Sequence, residues 1–550
     1  SVGAPTARPD IRDAGERPRQ WRIGGHLYAP RNAPRASAHG ASLRSLSQAA
    51  RVGTVRNWLG LDDARNEFYA KRFRLAGVGK RVEVWVAADI SFPAGDCRNT
   101  VDGGARARVR SAQVRYLIGQ FDRRIYPRES AFFSRPPLRN GRRARANRAQ
   151  FDPRGNGRRI VVLVDNIRDS NYYDRNNAGN MPYLAGFFSG HLTEFFDRNV
   201  MTIDAYDWLH RMGRRPPHRP VPTDLCASAP ARPFLYEGVL AHEYQHLLEY
   251  YEDRREVAWV NEGLSGFAET VTGYVETQKS IYQLGNDPQV QAFLGWLSVQ
   301  TPANPNPRPS GPENSLTRWN DPDGGNVLAD YGATKTFMHV LSARYGKRFI
   351  GALHRNDAQG LKGLQRVLER RRVRTTARAL VDDWAAAMAL DGPLDRGARL
   401  RGRISRMRLR VPTLRATMNW DAPYAYARPG APPNGSDYVR LRDAAGAYTR
   451  STDVKSLSFS ATERFARTSR RGFTLQLVSY HSRAAGPAFL ARYRIAPGQT
   501  LTLDEAKLRG LAETAGDVVA AIVTFHDPGE TMGGYGRYRL TVNGVVQAGG

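Results

Sequence analysis

The chain has 550 residues, 41% of them hydrophobic and 10% aromatic. It is too long for one simple core, suits two or three domains, and is too apolar to be disordered as a whole. Its formal net charge is +30, from 82 basic and 52 acidic residues; 74 of the basic ones are arginine, spread along the whole length. A nucleic-acid binder usually gathers such groups into a patch or tail, and no recognised nucleic-acid motif is present. The charge has two readings: a GC-rich coding bias, or a basic surface that attracts anionic cell-wall polymers, lipid or acidic substrates. No run approaches the roughly 18 apolar residues of a membrane-spanning helix. The first residue is Ser1 rather than Met, read as a processed chain whose targeting segment has been removed.

Residues 1–60 are rich in Arg, Ala, Ser, Gly and Pro and read as an arm. A strand follows, where Val82, Val84 and Val86 alternate with Glu83 and Trp85. Residues 113–121 have helical spacing, and the Arg/Asn-rich stretch 135–158 reads as an exposed loop. The apolar run Ile160, Val161, Val162, Leu163, Val164 suits a central strand buried on both faces. Residues 182–189 suit an edge strand. Residues 240–251 form a strong helix, and a second is expected from Asn261, as N-cap, to Thr272. Residues 301–312 carry five prolines and form a loop; 330–345 and 376–390 are helical.

Beyond about residue 400 the period changes to two: Leu457, Phe459, Ala461; Phe473, Leu475, Leu477; Tyr538, Leu540, Val542. This predicts an antiparallel β module with one wet face, sandwich-like. The expected organisation is an arm over 1–75, a β-containing part over 76–260, a helical part over 261–398, and the β module over 399–550. Cys97 and Cys226 are the two cysteines. They suit one disulfide in an exported protein, worth about 4–5 kcal/mol in the chain-entropy model.

The chemistry is concentrated in His242-Glu243-Tyr244-Gln245-His246. On a helix, positions i and i+4 share one face, so both imidazoles reach one ion, and Glu243 stands beside the first. The pattern alone arises by chance in on the order of one chain in a hundred. Downstream, Trp259-Val260-Asn261-Glu262-Gly263-Leu264-Ser265 supplies Glu262 as a third ligand. A catalytic zinc takes three protein ligands and keeps one position open. Glu269 lies two turns further on the same face. It is either an acceptor for a ligand imidazole N–H or a solvated helix charge. Tyr331, in Asp330-Tyr331-Gly332-Ala333, either donates to an oxyanion or packs at a helix start. Asp321-Pro322-Asp323-Gly324 lacks an EF-hand pattern and reads as a turn, as does His526-Asp527 after the strand-like stretch 521–525. His191, His210 and His339 have no partners at ligand spacing.

At these residues the sequence resembles the gluzincin clan of thermolysin-like zinc metallopeptidases, and more closely the hyicolysin-type family of secreted bacterial peptidases. The resemblance spans roughly residues 80–390 and rests on the segments 240–247, 259–265 and 330–333. It implies an α+β chain: a zincin-like catalytic domain, with a mixed sheet, an active-site helix and a helical subdomain, followed by the all-β sandwich-like module. It implies Zn2+ on His242, His246 and Glu262, Glu243 as general base and Tyr331 as transition-state stabiliser. It also implies an edge strand that pairs with an extended peptide, for which residues 185–188 are the candidate. One departure stands out. Thermolysin has an Asp four residues after its glutamate ligand; here that position is Gly266, which leaves Glu269 or Ser265 to contact the first histidine. The expected activity is secreted zinc-dependent endopeptidase action on protein or peptide substrates. The rivals are a non-catalytic cell-surface or cell-wall binding protein on a peptidase-like scaffold, and a salt-sensitive nucleic-acid binder.

Overall fold

The computed structural model describes residues 21–29, 50–174, 184–221, 224, 226–319, 327–401, 404–463, 470–531 and 534–548; the Asp321–Gly324 turn lies outside them. By internal contacts the chain divides into two units. One comprises residues up to 254 with 268–275; the other comprises 255–267 and everything from 276.

The first unit is built on a mixed sheet of seven strands among the described residues: β1 (Arg22–Ile23), β2 (Val55–Asp62), β3 (Glu67–Val78), β4 (Val82–Ala87), β5 (Ile160–Asp165), β6 (Gly186–Phe188) and β7 (Val200–Asp204). The order is β1-β3-β4-β5-β7-β6, with β2 also paired to β3. β4, β5 and β7 run parallel, and β6 closes one edge antiparallel to β7. Every residue of β5 is buried, as its unbroken apolar run requires of a central parallel strand. Helices α1 (Ser111–Gln120), α2 (Tyr126–Phe132), α3 (Ser170–Tyr173), α4 (Gly190–Phe196) and α5 (Trp208–Arg211) precede the long α6 (Leu235–Glu252). A π-helical turn, Phe121–Ile125, joins α1 to α2. One core gathers Trp58, Trp85, Phe195 and Phe196, with edge-on ring contacts of 5.6 Å between the two tryptophans and 4.9 Å from Trp58 to Phe196.

Part of the stretch expected to be an arm belongs to this core. Trp21 packs edge-on against Phe187 at 4.9 Å and Leu27 is buried, while residues 55–78 form a β-hairpin. Two large apolar side chains in an Arg/Pro-rich context leave no periodicity to read, yet each gains roughly 1.5–3 kcal/mol by burial. Cys97 and Cys226 form the expected disulfide, with Cα atoms 6.0 Å apart. Beside it the buried Arg106 donates to the carbonyls of Ala227 and Ser228, tying down the segment that leads into α6.

The second unit begins with α7 (Ala258–Thr272), whose last turns count with the first unit. Then come α8 (Pro288–Phe293), α9 (Val327–Tyr345), α10 (Lys347–His354), α11 (Gly360–Arg370) and α12 (Ala377–Asp395), the last capped by the Thr376 side chain, which accepts from the Ala379 N–H. The C-terminal region is β-rich: β8 (Arg399–Arg401), β9 (Gly435–Arg440), β10 (Leu457–Ala461), β11 (Gly472–Tyr480), β12 (Pro487–Ile495), β13 (Thr500–Leu503), then α13 (Glu505–Ala512), β14 (Val518–His526), β15 (Tyr538–Val542) and β16 (Val545–Ala548). Two four-stranded sheets, β13-β10-β15-β16 and β14-β11-β12-β8, contribute to one core.

Two expectations need correction. Asn261 is not an N-cap: α7 starts a turn earlier, where the N–H groups of Val260 and Asn261 bond the carbonyl of Val257. And β11 has no wet face, since all nine residues are buried. Helix α12 covers its polar side: Gln476 donates to the Asp382 carbonyl at 2.9 Å, and His526 of β14 meets the Asp382 carboxylate at 2.9 Å. His526 is therefore a buried strand residue rather than part of a turn.

Candidate metal centre

Helix α6 presents the H-E-x-x-H residues from a fully packed position. Leu240, Tyr244, Leu247 and Leu248 are buried on it. Tyr244 is held by its hydroxyl, 2.8 Å from that of Ser130, and by stacking on Tyr126 at 5.8 Å. The helix is thus fixed in rotation, and the four-residue spacing brings the His242 and His246 rings to 4.7 Å between centroids.

The third residue comes from α7. One ligand atom each of His242, His246 and Glu262 lies within 4.8 Å of the others, and all three residues are buried. Seven residues along the same helix, Glu269 places Oε1 2.9 Å from Nδ1 of His242. This contact holds the imidazole by Nδ1, so that Nε2 is the nitrogen that could face an ion. Ser265 instead donates its hydroxyl to the Asn261 carbonyl at 3.0 Å, so the outer contact to the first histidine falls to Glu269. The Gly266 departure has a steric reason. A Cβ there would stand 2.7 Å from Cε of Lys335, and one at Gly263 would stand 2.8 Å from Cε of Met338. These glycines let α7 and α9 approach closely, so position 266 faces α9.

Two imidazoles and one carboxylate, buried and convergent, fit a divalent first-row cation, and this donor set suits a zinc that retains an open position. The group can therefore hold a metal ion.

Glu243 is buried beside His242, beneath the edge strand. Gly186 of β6 sits so close to α6 that a Cβ there would be 2.5 Å from Cγ1 of Val239 and 3.5 Å from Cγ of Glu243. The expected edge strand is thus three residues long and passes directly over the candidate base. Tyr331 lies in the second turn of α9, buried, its ring edge-on to Trp319 at 4.7 Å. The neighbouring Gly332 meets the Gln289 carbonyl of α8, with no room for a side chain. The structure brings His242, His246, Glu262 and Glu269 together. Tyr331 it places at the head of the helix packed on Gly263 and Gly266.

One residue had no sequence signal. Glu129 of α2 is completely buried, and neither carboxylate oxygen has a hydrogen-bond partner among the described residues. Burial pushes its carboxyl well above the usual range; the positive field of His242 opposes this and the charge of Glu269 adds to it. A lone glutamate in a short helix carries no spacing to the motif, and only tertiary packing brings it near the His242–Glu269 pair. Of the other histidines, His210 pairs with Asp207 at 2.7 Å and His339 with the Thr413 hydroxyl at 2.8 Å. No family model matches the chain, and no curated protein matches it either.

Proposed function

We propose that this chain is a secreted zinc-dependent endopeptidase of gluzincin type. The observation that carries the reading is the buried His242–His246–Glu262 group, with His242 backed by Glu269 at 2.9 Å. A zinc ion held there supplies a Lewis acid that acidifies water and polarises a carbonyl. Glu243, beside His242 and under β6, accepts a proton at its carboxylate and returns it to the departing amine. The edge of β6 that has no partner strand among the described residues offers backbone N–H and C=O groups to an extended peptide, which sets that peptide above Glu243. Tyr331 donates its phenol to the developing oxyanion. The disulfide suits an oxidising compartment, and no helix among the described residues is long and apolar enough to cross a membrane. Both are in keeping with export.

The test pairs metal analysis with casein hydrolysis, with and without a chelator. Glu243→Gln is expected to retain zinc and lose most turnover. Parental cleavage by that variant would sink the assignment of the base. A zinc-loaded chain inert on every peptide substrate would favour the binding-protein alternative.

A further inference from the structure

The loop after β14 reaches the helix that carries Glu262. Glu530 places Oε2 3.0 Å from the indole Nε1 of Trp259 and Oε1 2.6 Å from the backbone N of Leu361. Both partners are donors, so the carboxyl group accepts from two N–H groups with separate oxygens.

Three features of the sequence converge on this one contact. Glu530 adopts φ +53°, a left-handed conformation that costs a non-glycine residue. Gly360 has φ +59°, and a Cβ there would stand 2.4–2.9 Å from the Glu530 carboxyl group. A glycine is therefore required at 360 for the carboxylate to come so close. Trp259 is completely buried, its ring edge-on to Phe337 at 5.8 Å, with the indole N–H turned to Glu530. The loop itself is braced. Asp527 accepts from the Thr531 N–H at 2.7 Å and from Arg471 Nε at 2.9 Å, and Arg471 also reaches the Thr531 hydroxyl at 3.0 Å.

Trp259 stands in the first turn of α7, and Glu262 follows one turn later. A helix this short is stiff over three residues, so whatever fixes the rotation of the Trp259 turn also fixes the bearing of the Glu262 carboxylate. We infer that Glu530 is a positioning residue for the metal centre, acting through Trp259 to set the orientation of Glu262. The C-terminal β region thereby contributes to the metal site and is not merely an appendage. The inference rests on the metal reading above.

Alone, the bond to Leu361 would make Glu530 a cap for α11, whose N-cap residue Gln359 makes no side-chain capping bond. A cap and a positioning residue differ in what they move. Zinc affinity of the full chain, by competition with a chromophoric chelator, and the visible spectrum of its Co2+ form would be measured for the parent, His242→Ala, Glu530→Gln, Trp259→Phe and the double variant. Trp259→Phe keeps an aromatic ring in the core and removes the N–H together with the five-membered ring that carries it.

The expected result is parental binding abolished in His242→Ala, affinity about tenfold weaker in each of the other singles, and shifted cobalt bands. The double variant should be no weaker than the worse single, since both remove one link. Parental affinity and spectrum in Glu530→Gln and Trp259→Phe would overturn the positioning role while leaving the metal centre intact. So would losses that multiply in the double variant. Absence of zinc binding in the parent would overturn both. If Glu530→Gln does not fold, Trp259→Phe alone decides.

Discussion

Removing the Glu269 carboxylate should weaken metal binding without unfolding the chain. Its Oε1 is 2.9 Å from Nδ1 of His242, in a position only 9% exposed. A hydrogen bond to a charged group in such a place contributes about 1.5–3 kcal/mol. In Glu269→Ala the His242 ring loses the partner that holds it by Nδ1. That cost falls on the metal-bound state, where Nε2 must point at the ion. At about 1.4 kcal/mol per tenfold, zinc affinity should drop about tenfold to a hundredfold. Glu269→Gln keeps an acceptor oxygen and loses the charge, so it should fall between the parent and the alanine variant. The assay is zinc competition against a chelator of known affinity at pH 7.5, with unfolding by urea as the control. If Glu269→Ala bound zinc as tightly as the parent, the ring of His242 would be oriented by something else, and the outer contact would have no role.

Two further perturbations test other parts of the site and core. Gly186→Ala would drive a methyl to within 2.5 Å of Val239 and 3.0 Å of the Thr202 carbonyl. It should cost about 1–3 kcal/mol, seen in urea unfolding, and lift β6 off α6 with loss of turnover; unchanged stability would refute the close packing. His339 is fully buried; burial, followed by the charge of Lys335, lowers its pKa to about 3. The unfolded value is about 6.5, so its stabilising contribution is complete above pH 6.5 and is lost as the pH falls towards 3. Between pH 6.5 and 4.5 that loss is about 2–3 kcal/mol. In His339→Gln the acid limb of a urea-stability profile should be flatter by that amount, and an unchanged limb would refute the assignment.

What the sequence discloses depends on whether an arrangement is local. The two histidines were legible because a helix of 3.6 residues per turn fixes their separation, whatever surrounds it. Residues 160–164 announced a buried strand because a continuous apolar run has few other uses. Glu262 was legible only as a second motif at a plausible distance, and its convergence on the histidines is a tertiary fact. Glu129 was illegible for the same reason, since no period connects it to α6. The period of two in β11 correctly separated its faces but could not say what covers them. Thr474 and Gln476 looked solvated until α12 lay across them.

The same logic explains why Glu269, two turns past Glu262, rather than a residue at 266, makes the contact to His242. A helix face is selected by what packs on the opposite side. Gly263 and Gly266 lie three residues apart and are spent on the approach of α9, where Lys335 is locked in a buried pair with Asp287 at 2.9 Å. Any carboxylate at 266 would meet the aliphatic stem of that lysine. The acidic residue able to serve His242 must then lie off the α9 stripe, and Glu269 satisfies this while staying on the Glu262 face. Trp259, a turn before Glu262, packs on Phe337 of the same α9. One helix thus anchors both the start of α7 and its glycine stripe, and the bearing of Glu262 follows from contacts at residues outside the His242–His246–Glu262 group.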